Sequence, residues 1–189
     1  MNDDVRKWIE KDGVDFLKKI GLKKGQAVLD FGCGEGHYTI PAARVVGKEG
    51  KVYGLDKDTM RLTGLKEMAK IRAMENIEIL NRHSEIPLEN NSLDAVLCYD
   101  VIHYQDKKER AAFYKEIHRV SKRKGIFSVY PKHHKQDYPL DKLADISLEE
   151  IIREIEGSAF RLRENLRCNL LHDNGYNEGV VLNFSTLKQ

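Results

Sequence analysis

The sequence predicts an α/β fold, a doubly wound and mostly parallel sheet with an antiparallel edge. Three observations carry that prediction. Short apolar runs alternate with helical periods from Ala27 to Tyr130. The first of these runs breaks into a turn with glycines at alternate positions, Gly32, Gly34 and Gly36, before a helical pattern begins. At the C-terminus two strand-like segments flank "HDNGYNEG", in which Asp173-Asn174-Gly175 signals a hairpin.

Taken in order, Val5, Trp8, Ile9, Phe16, Leu17 and Ile20 fit one or two short amphipathic helices before Gly21. Ala27 to Phe31 reads as a buried strand, and a helix from Tyr38 to Val46 follows with Pro41 in its first turn, where a missing N–H costs nothing. Lys51 to Asp56 is the second strand. Asp58 caps a helix carrying Met60, Leu65, Met68 and Ala69, which Asn76 ends, and Ile77 to Leu80 is a short third strand. Ala95 to Tyr99 is the fourth. Asp106 and Glu109 have capping-box spacing and open a helix with Phe113, Ile117 and Val120 on one face. Gly125 resets the chain before a fifth strand, Ile126 to Tyr130. Residues 131–146 are polar and irregular, with His133, His134, Tyr138 and Pro139. Ser147 and Glu150 then cap a helix through Ile155, and the final strands span about Phe160 to Leu171 and Glu178 to Leu187.

The 189 residues are read as one domain, 1–189, without repeats or low-complexity tracts. With 32 Lys and Arg against 30 Asp and Glu, the net charge of +2 gives no global field to draw nucleic acid or anionic membrane. The three cysteines, Cys33, Cys98 and Cys168, are far apart and form no C-x-x-C, so neither a zinc knuckle nor a disulfide framework is expected. The N-terminus is acidic and amphipathic, unlike a signal peptide, and no apolar run approaches the roughly 20 residues that span a bilayer. A cytoplasmic location is the expectation.

The glycine turn poses the chemical question. A phosphate-binding loop needs G-x-x-x-x-G-K-[ST], and no such lysine follows here. The dinucleotide fingerprint is G-x-G-x-x-G, whereas this chain has G-x-G-x-G, one residue short. Asp30 puts a carboxylate at the mouth of the turn, where it repels pyrophosphate but suits an ammonium group. Asp56 ends the second strand, where a carboxylate accepts from both hydroxyls of a ribose. One carboxylate for an amine and one for a ribose describes S-adenosylmethionine.

The segments "VLDFGCGEGHYT", "VYGLDKD", "LDAVLCYDVIHY" and "EIHRVSKRKGIFSV" resemble, in this order and spacing, the class I S-adenosylmethionine-dependent methyltransferases. Within them the resemblance is to the branch of the ubiquinone and menaquinone biosynthesis enzymes and other small-molecule methyltransferases. It implies a Rossmann-like seven-stranded sheet with the last strand antiparallel and helices on both faces. It also implies S-adenosyl-L-methionine as the cofactor. By position, Asp30 and the turn Gly32, Cys33, Gly34 and Gly36, with Tyr38 after it, would hold the methionine moiety. Asp56 would hold the ribose, with Lys57 and Met60 beside the adenine. Family members carry an acidic residue followed by a small one at the adenine amino group. This chain has His83-Ser84 there with Glu85 next, so Ser84 or Glu85 is expected to serve. Tyr99 would line the sulfonium.

Methyl transfer from a sulfonium is an in-line displacement in which the protein chiefly aligns the reactants and excludes water, and a base is needed only for a protonated acceptor. The candidates are His103, after the fourth strand, and His133 and His134, after the fifth. Adjacent histidines point opposite ways from a strand, so no metal site is inferred. "YDVI" replaces the Asn/Asp-Pro-Pro-aromatic tetrapeptide of base-amino methylation, and the scattered thiols do not suit arsenite. Residues 1–24 are read as a helical lid and 131–146 as an active-site loop, which suits a small-molecule substrate. A protein or RNA substrate docked by the basic segment 122–135, and a non-catalytic partner subunit that binds the cofactor, are the alternatives.

Overall fold

The computed structural model describes residues 1–81, 85–137 and 145–188. Along the chain it has α1 (Asp3–Lys7), a π-helical turn (Trp8–Asp12), α2 (Gly13–Lys19), β1 (Ala27–Phe31), α3 (Thr39–Val46), β2 (Lys51–Asp56), α4 (Thr59–Ile71) and β3 (Ile77–Asn81). There follow β4 (Leu93–Tyr99), a 3-10 turn (Ile102–Tyr104), α5 (Lys107–Val120), β5 (Ser121–Tyr130), α6 (Leu148–Glu156), β6 (Phe160–His172) and β7 (Gly175–Thr186). The strands form one mixed sheet in the order β3-β2-β1-β4-β5-β7-β6. Within it β1–β2, β2–β3 and β4–β5 are parallel, and β7 runs antiparallel to β5. This is the doubly wound sheet with an antiparallel edge that the sequence predicts.

The chain divides into two compact units. The first comprises Met1–Pro87 and Asn169–Asn177. Val28 and Leu29 of β1 are fully buried, as a parallel strand covered on both faces requires. The N-terminal helices bury Val5, Trp8, Ile9 and Leu17 in the same core. The Trp8 indole N–H donates to the carbonyl of His37 at 3.0 Å, and its ring meets those of Tyr38, Phe16 and Tyr176. A Cβ on Gly13 would fall 2.8 Å from that indole, which explains a glycine opening a helix. The helix α4 ends at Ile71, before Asn76, because Ala73 turns to φ 50°. Asn76 serves instead to bind the carbonyls of Ala43 and Gly47 at the end of α3.

The second unit comprises Leu88–Cys168 and Glu178–Gln189. Its core is aromatic: Phe127 of β5 packs against Phe113, Tyr114, Phe160 and Phe184. Both capping boxes expected from spacing are formed, Asp106 with Glu109 and Ser147 with Glu150. The strand β5 begins at Ser121, five residues before the expected start. Leu93 pairs with Ser121 but Ala95 with Ile126, so Lys122 to Gly125 bulge out of the ladder, with Lys124 at φ 60°. The bulge shows in sequence as a loop. Similarly β7 resumes at Gly175 and leaves only Asp173 and Asn174 between the hairpin strands.

Candidate functional site

In the first unit the turn after β1 is built by three glycines, Gly32, Gly34 and Gly36, at φ 77°, 52° and 89°. That region is open to glycine at no steric cost. Leu55 of β2 accepts from the N–H groups of Gly32 at 2.7 Å and Cys33 at 3.1 Å, which fastens the turn to the neighbouring strand. The glycines do different work. A Cβ on Gly34 would meet only the Arg61 guanidinium at 3.6 Å, so its face is nearly open. A Cβ on Gly36 would fall 2.4 Å from Cδ1 of Leu65, a fully buried residue of α4. The third glycine therefore lets α4 close onto the turn.

Asp56 ties the two ends of this site together. One carboxylate oxygen accepts from the Gly34 N–H at 2.8 Å and the other from the Asp58 N–H at 2.9 Å. Asp58 in turn caps α4 through the N–H groups of Met60 and Arg61. A carboxylate has about four lone-pair directions, so two remain on Asp56 for a diol. Asp30 is buried, and its Oδ2 accepts from the Thr39 hydroxyl at 2.6 Å. Burial first, and then the nearby Asp56 charge, push its carboxyl up to about 7. Burial likewise drives the Cys33 thiol far up, so it is a protonated, inert wall of the turn. The Tyr38 ring is buried and its hydroxyl donates to the Leu171 carbonyl at 2.9 Å. Met60 is 83% exposed, and Lys57 and Glu85 are exposed as well. His83 and Ser84 lie outside the described residues, as do Tyr138 and Pro139.

In the second unit Tyr99 is buried at the end of β4, its hydroxyl 2.7 Å from Ser128 Oγ, which bonds Asn183 in turn. Asp100 follows at φ 59° and His133, past the end of β5, at φ 62°. Asp100 Oδ1 lies 3.6 Å from Nδ1 of His103 and 3.7 Å from Nε2 of His133, and the two imidazoles meet edge to face at 4.7 Å. His134 faces elsewhere. Its Nδ1 lies 3.1 Å from the Gln136 backbone nitrogen and 3.2 Å from Gln136 Oε1, and its Nε2 lies 3.4 Å from Asp137. Burial lowers its pKa, so it is a neutral brace of the loop. Asp137 also accepts from the His133 N–H at 2.6 Å and pairs with the buried Lys132 at 3.3 Å.

Thus Asp30, Gly32, Cys33, Gly34, Gly36, Tyr38 and Asp56 gather in one unit, and His103 and His133 meet in the other. Thr39, Asp100 and Asp137 contact these residues and are not singled out by the sequence. Thr39 is an ordinary helix-opening residue by type. The left-handed backbone at Asp100 has no glycine to announce it.

A family model described as a methyltransferase domain matches residues 22–162. The demethylmenaquinone methyltransferase of Geobacillus stearothermophilus is 33% identical over 113 residues, 59% of this chain and 47% of that protein. The enzyme of the same name from Geobacillus kaustophilus is 31% identical over 121 residues, 64% of this chain and 49% of that protein. The chain thus spans about half the length of these curated relatives. Among solved structures, a SAM-dependent methyltransferase from Aquifex aeolicus superposes with a TM-score of 0.80 at 24% identity, covering 98% of this chain and 95% of that one. The family match takes in β1 through the start of β6, the glycine turn and both carboxylates included, and the chain belongs to the methyltransferase-domain family.

Proposed function

We propose that this chain is an S-adenosylmethionine-dependent methyltransferase acting on a small-molecule acceptor. The observation that carries the reading is Asp56, a carboxylate held by the Gly34 and Asp58 N–H groups with lone pairs left for a diol. No lysine or helix-borne third glycine is present for a pyrophosphate. In this reading Asp56 binds the ribose, and the turn Gly32 to Gly36 receives the methionine moiety by close backbone approach. Asp30, with Thr39, fixes the floor of the turn and takes its negative charge when a cation arrives beside it. Lys57, Met60 and Glu85 flank the adenine. Bound there, the cofactor supplies an electrophilic methyl group, and the protein supplies alignment and exclusion of water.

A small acceptor is favoured over RNA by the basic segment 122–135. Lys122, Lys132 and Lys135 are each paired with a carboxylate, on Asp94, Asp137 and Glu150, so much of the segment's charge is already answered. The relatives named for demethylmenaquinone suggest a reduced naphthoquinone ring as the first acceptor to test. No described helix is long and apolar enough to cross a membrane. None of Cys33, Cys98 and Cys168 is in a disulfide, which fits a reducing compartment such as the cytoplasm. The test is transfer of label from methyl-labelled S-adenosylmethionine to 1,4-dihydroxynaphthalene. Labelled organic product is expected. Label found instead only on added RNA or protein would overturn the small-molecule reading.

A further inference from the structure

Two segments remote in sequence meet at the exit of the glycine turn, and the binding of a methyl donor as described so far gives neither of them a role. Both lie in the first compact unit, together with the turn. The entry of the turn is held by the Leu55 carbonyl and its middle by Asp56. Its exit, His37 and Tyr38, is held by the remote segments. The His37 carbonyl accepts the indole N–H of Trp8 at 3.0 Å, and the Tyr38 hydroxyl donates to the Leu171 carbonyl at 2.9 Å. The Trp8 and Tyr38 rings meet edge to face at 5.1 Å.

The two segments are also tied to each other. The Tyr176 hydroxyl donates to Asp12 at 2.7 Å. Lys7 pairs with the same carboxylate at 3.0 Å while its ammonium lies over the Tyr176 ring. The Asn2 side chain donates to the Asn174 carbonyl. The π-helical turn Trp8–Asp12 carries both links, the indole at its first residue and the carboxylate at its last. Turns of this kind are rare and recur at functional sites.

We propose that Trp8 and Tyr176 are positioning residues of the donor site. Together they clasp the N-terminal helices to the β6–β7 hairpin tip and so fix the exit of the glycine turn. The proposal rests on the methyltransferase reading and adds to its site two residues that act through the turn. The seat for the methionine moiety is backbone, Gly32 to Gly36, so its shape follows from what holds its two ends. With the clasp closed the seat is preformed. With it open the exit is loose, and the apparent affinity falls by the fraction of chains in which the seat is formed. The coupling is reciprocal, so a bound donor holds the clasp shut by the same factor. A tryptophan that only fills the core has no such link to the ligand.

Trp8 is the single tryptophan of the chain, which makes the link measurable. It is 1% exposed, so acrylamide quenches its emission when the clasp opens. The probe ligand is S-adenosylhomocysteine, added to the whole chain until calorimetry shows saturation. Quenching of Trp8 is expected to fall as the ligand saturates. Tyr176→Phe keeps the ring and loses the bond to Asp12. It should raise quenching in the free chain, and bound ligand should bring it back toward the wild-type value. Trp8→Phe leaves the His37 carbonyl without its donor and should weaken binding by about tenfold, the order expected for one buried hydrogen bond. Tyr176→Phe, acting one step further off, should weaken binding less. Should Trp8→Phe fail to fold, Tyr176→Phe and the wild-type quenching decide. Quenching that ignores the ligand, or wild-type affinity in Tyr176→Phe together with wild-type quenching, overturns the proposal even where the ligand binds. No binding by the wild type would instead overturn the methyltransferase reading.

Discussion

At the scale of single residues, the glycine turn separates steric from electronic roles. Gly36→Ala would drive a Cβ to 2.4 Å from Leu65 Cδ1 and strain φ 89°. The expected cost is about 1–3 kcal/mol from overpacking, with loss of donor binding because α4 backs away. Gly34→Ala meets only a flexible guanidinium and should cost less, so the order of the two melting temperatures is the check. Asp56→Asn keeps one carbonyl oxygen and loses the charge. It should weaken S-adenosylmethionine binding by about tenfold or more, as expected for hydrogen bonds to a charged group. Asp30 makes a prediction about pH. Its carboxyl titrates at about 7 in the fold against an ordinary 3.8, so the folded state holds a proton that unfolding releases between these values. Stability from this group is present at low pH and is lost as pH rises through that window. Asp30→Asn should therefore melt above the wild type on the alkaline side of the window, with the gap closing toward acid. An equal gap at all pH values would contradict the buried, raised carboxyl.

Among the elements, helix starts are the most readable feature and strand ends the least. Capping boxes are local, so the spacings Asp106-x-x-Glu109 and Ser147-x-x-Glu150 are enough to mark where α5 and α6 begin. The start of β5 depends on its partner. Only the pairing of Leu93 with Ser121 makes a strand of residues that look like a lysine-rich loop. The π-helical turn Trp8–Asp12 is likewise hidden, since an amphipathic period reads the same through one extra residue. The contact of α5 with α6 is also long-range, and it rests on a bidentate pair. Arg110 donates through Nε and Nη2 to the two carboxylate oxygens of Glu154, at 2.8 and 3.0 Å, and both side chains are largely buried. Arg110→Ala strands the Glu154 charge and should destabilise by about 3–5 kcal/mol. Chemical denaturation measures that loss, and Arg110→Ala combined with Glu154→Ala should recover part of it.

For the molecule as a whole, the sheet and its antiparallel edge are readable because strand and helix periods alternate through β5, apart from the polar connection between β3 and β4, and a hairpin signal ends the chain. The glycine turn of the first unit is readable for a related reason, since glycines and strand-end carboxylates mark it by type and spacing. The histidine cluster of the second unit is not. Three histidines are visible, but what distinguishes His133 from His134 is which carboxylate each ring reaches, and that depends on Asp100 and Asp137 folding back on them. In the proposed function the glycine turn and its two carboxylates bind a methyl donor and not a dinucleotide. Calorimetric titration of the wild-type chain with S-adenosylmethionine, S-adenosylhomocysteine and NAD, side by side, is the test. Saturable binding of the first two at one site per chain, and none of NAD, is expected. Binding of NAD, or of none of the three, would contradict it.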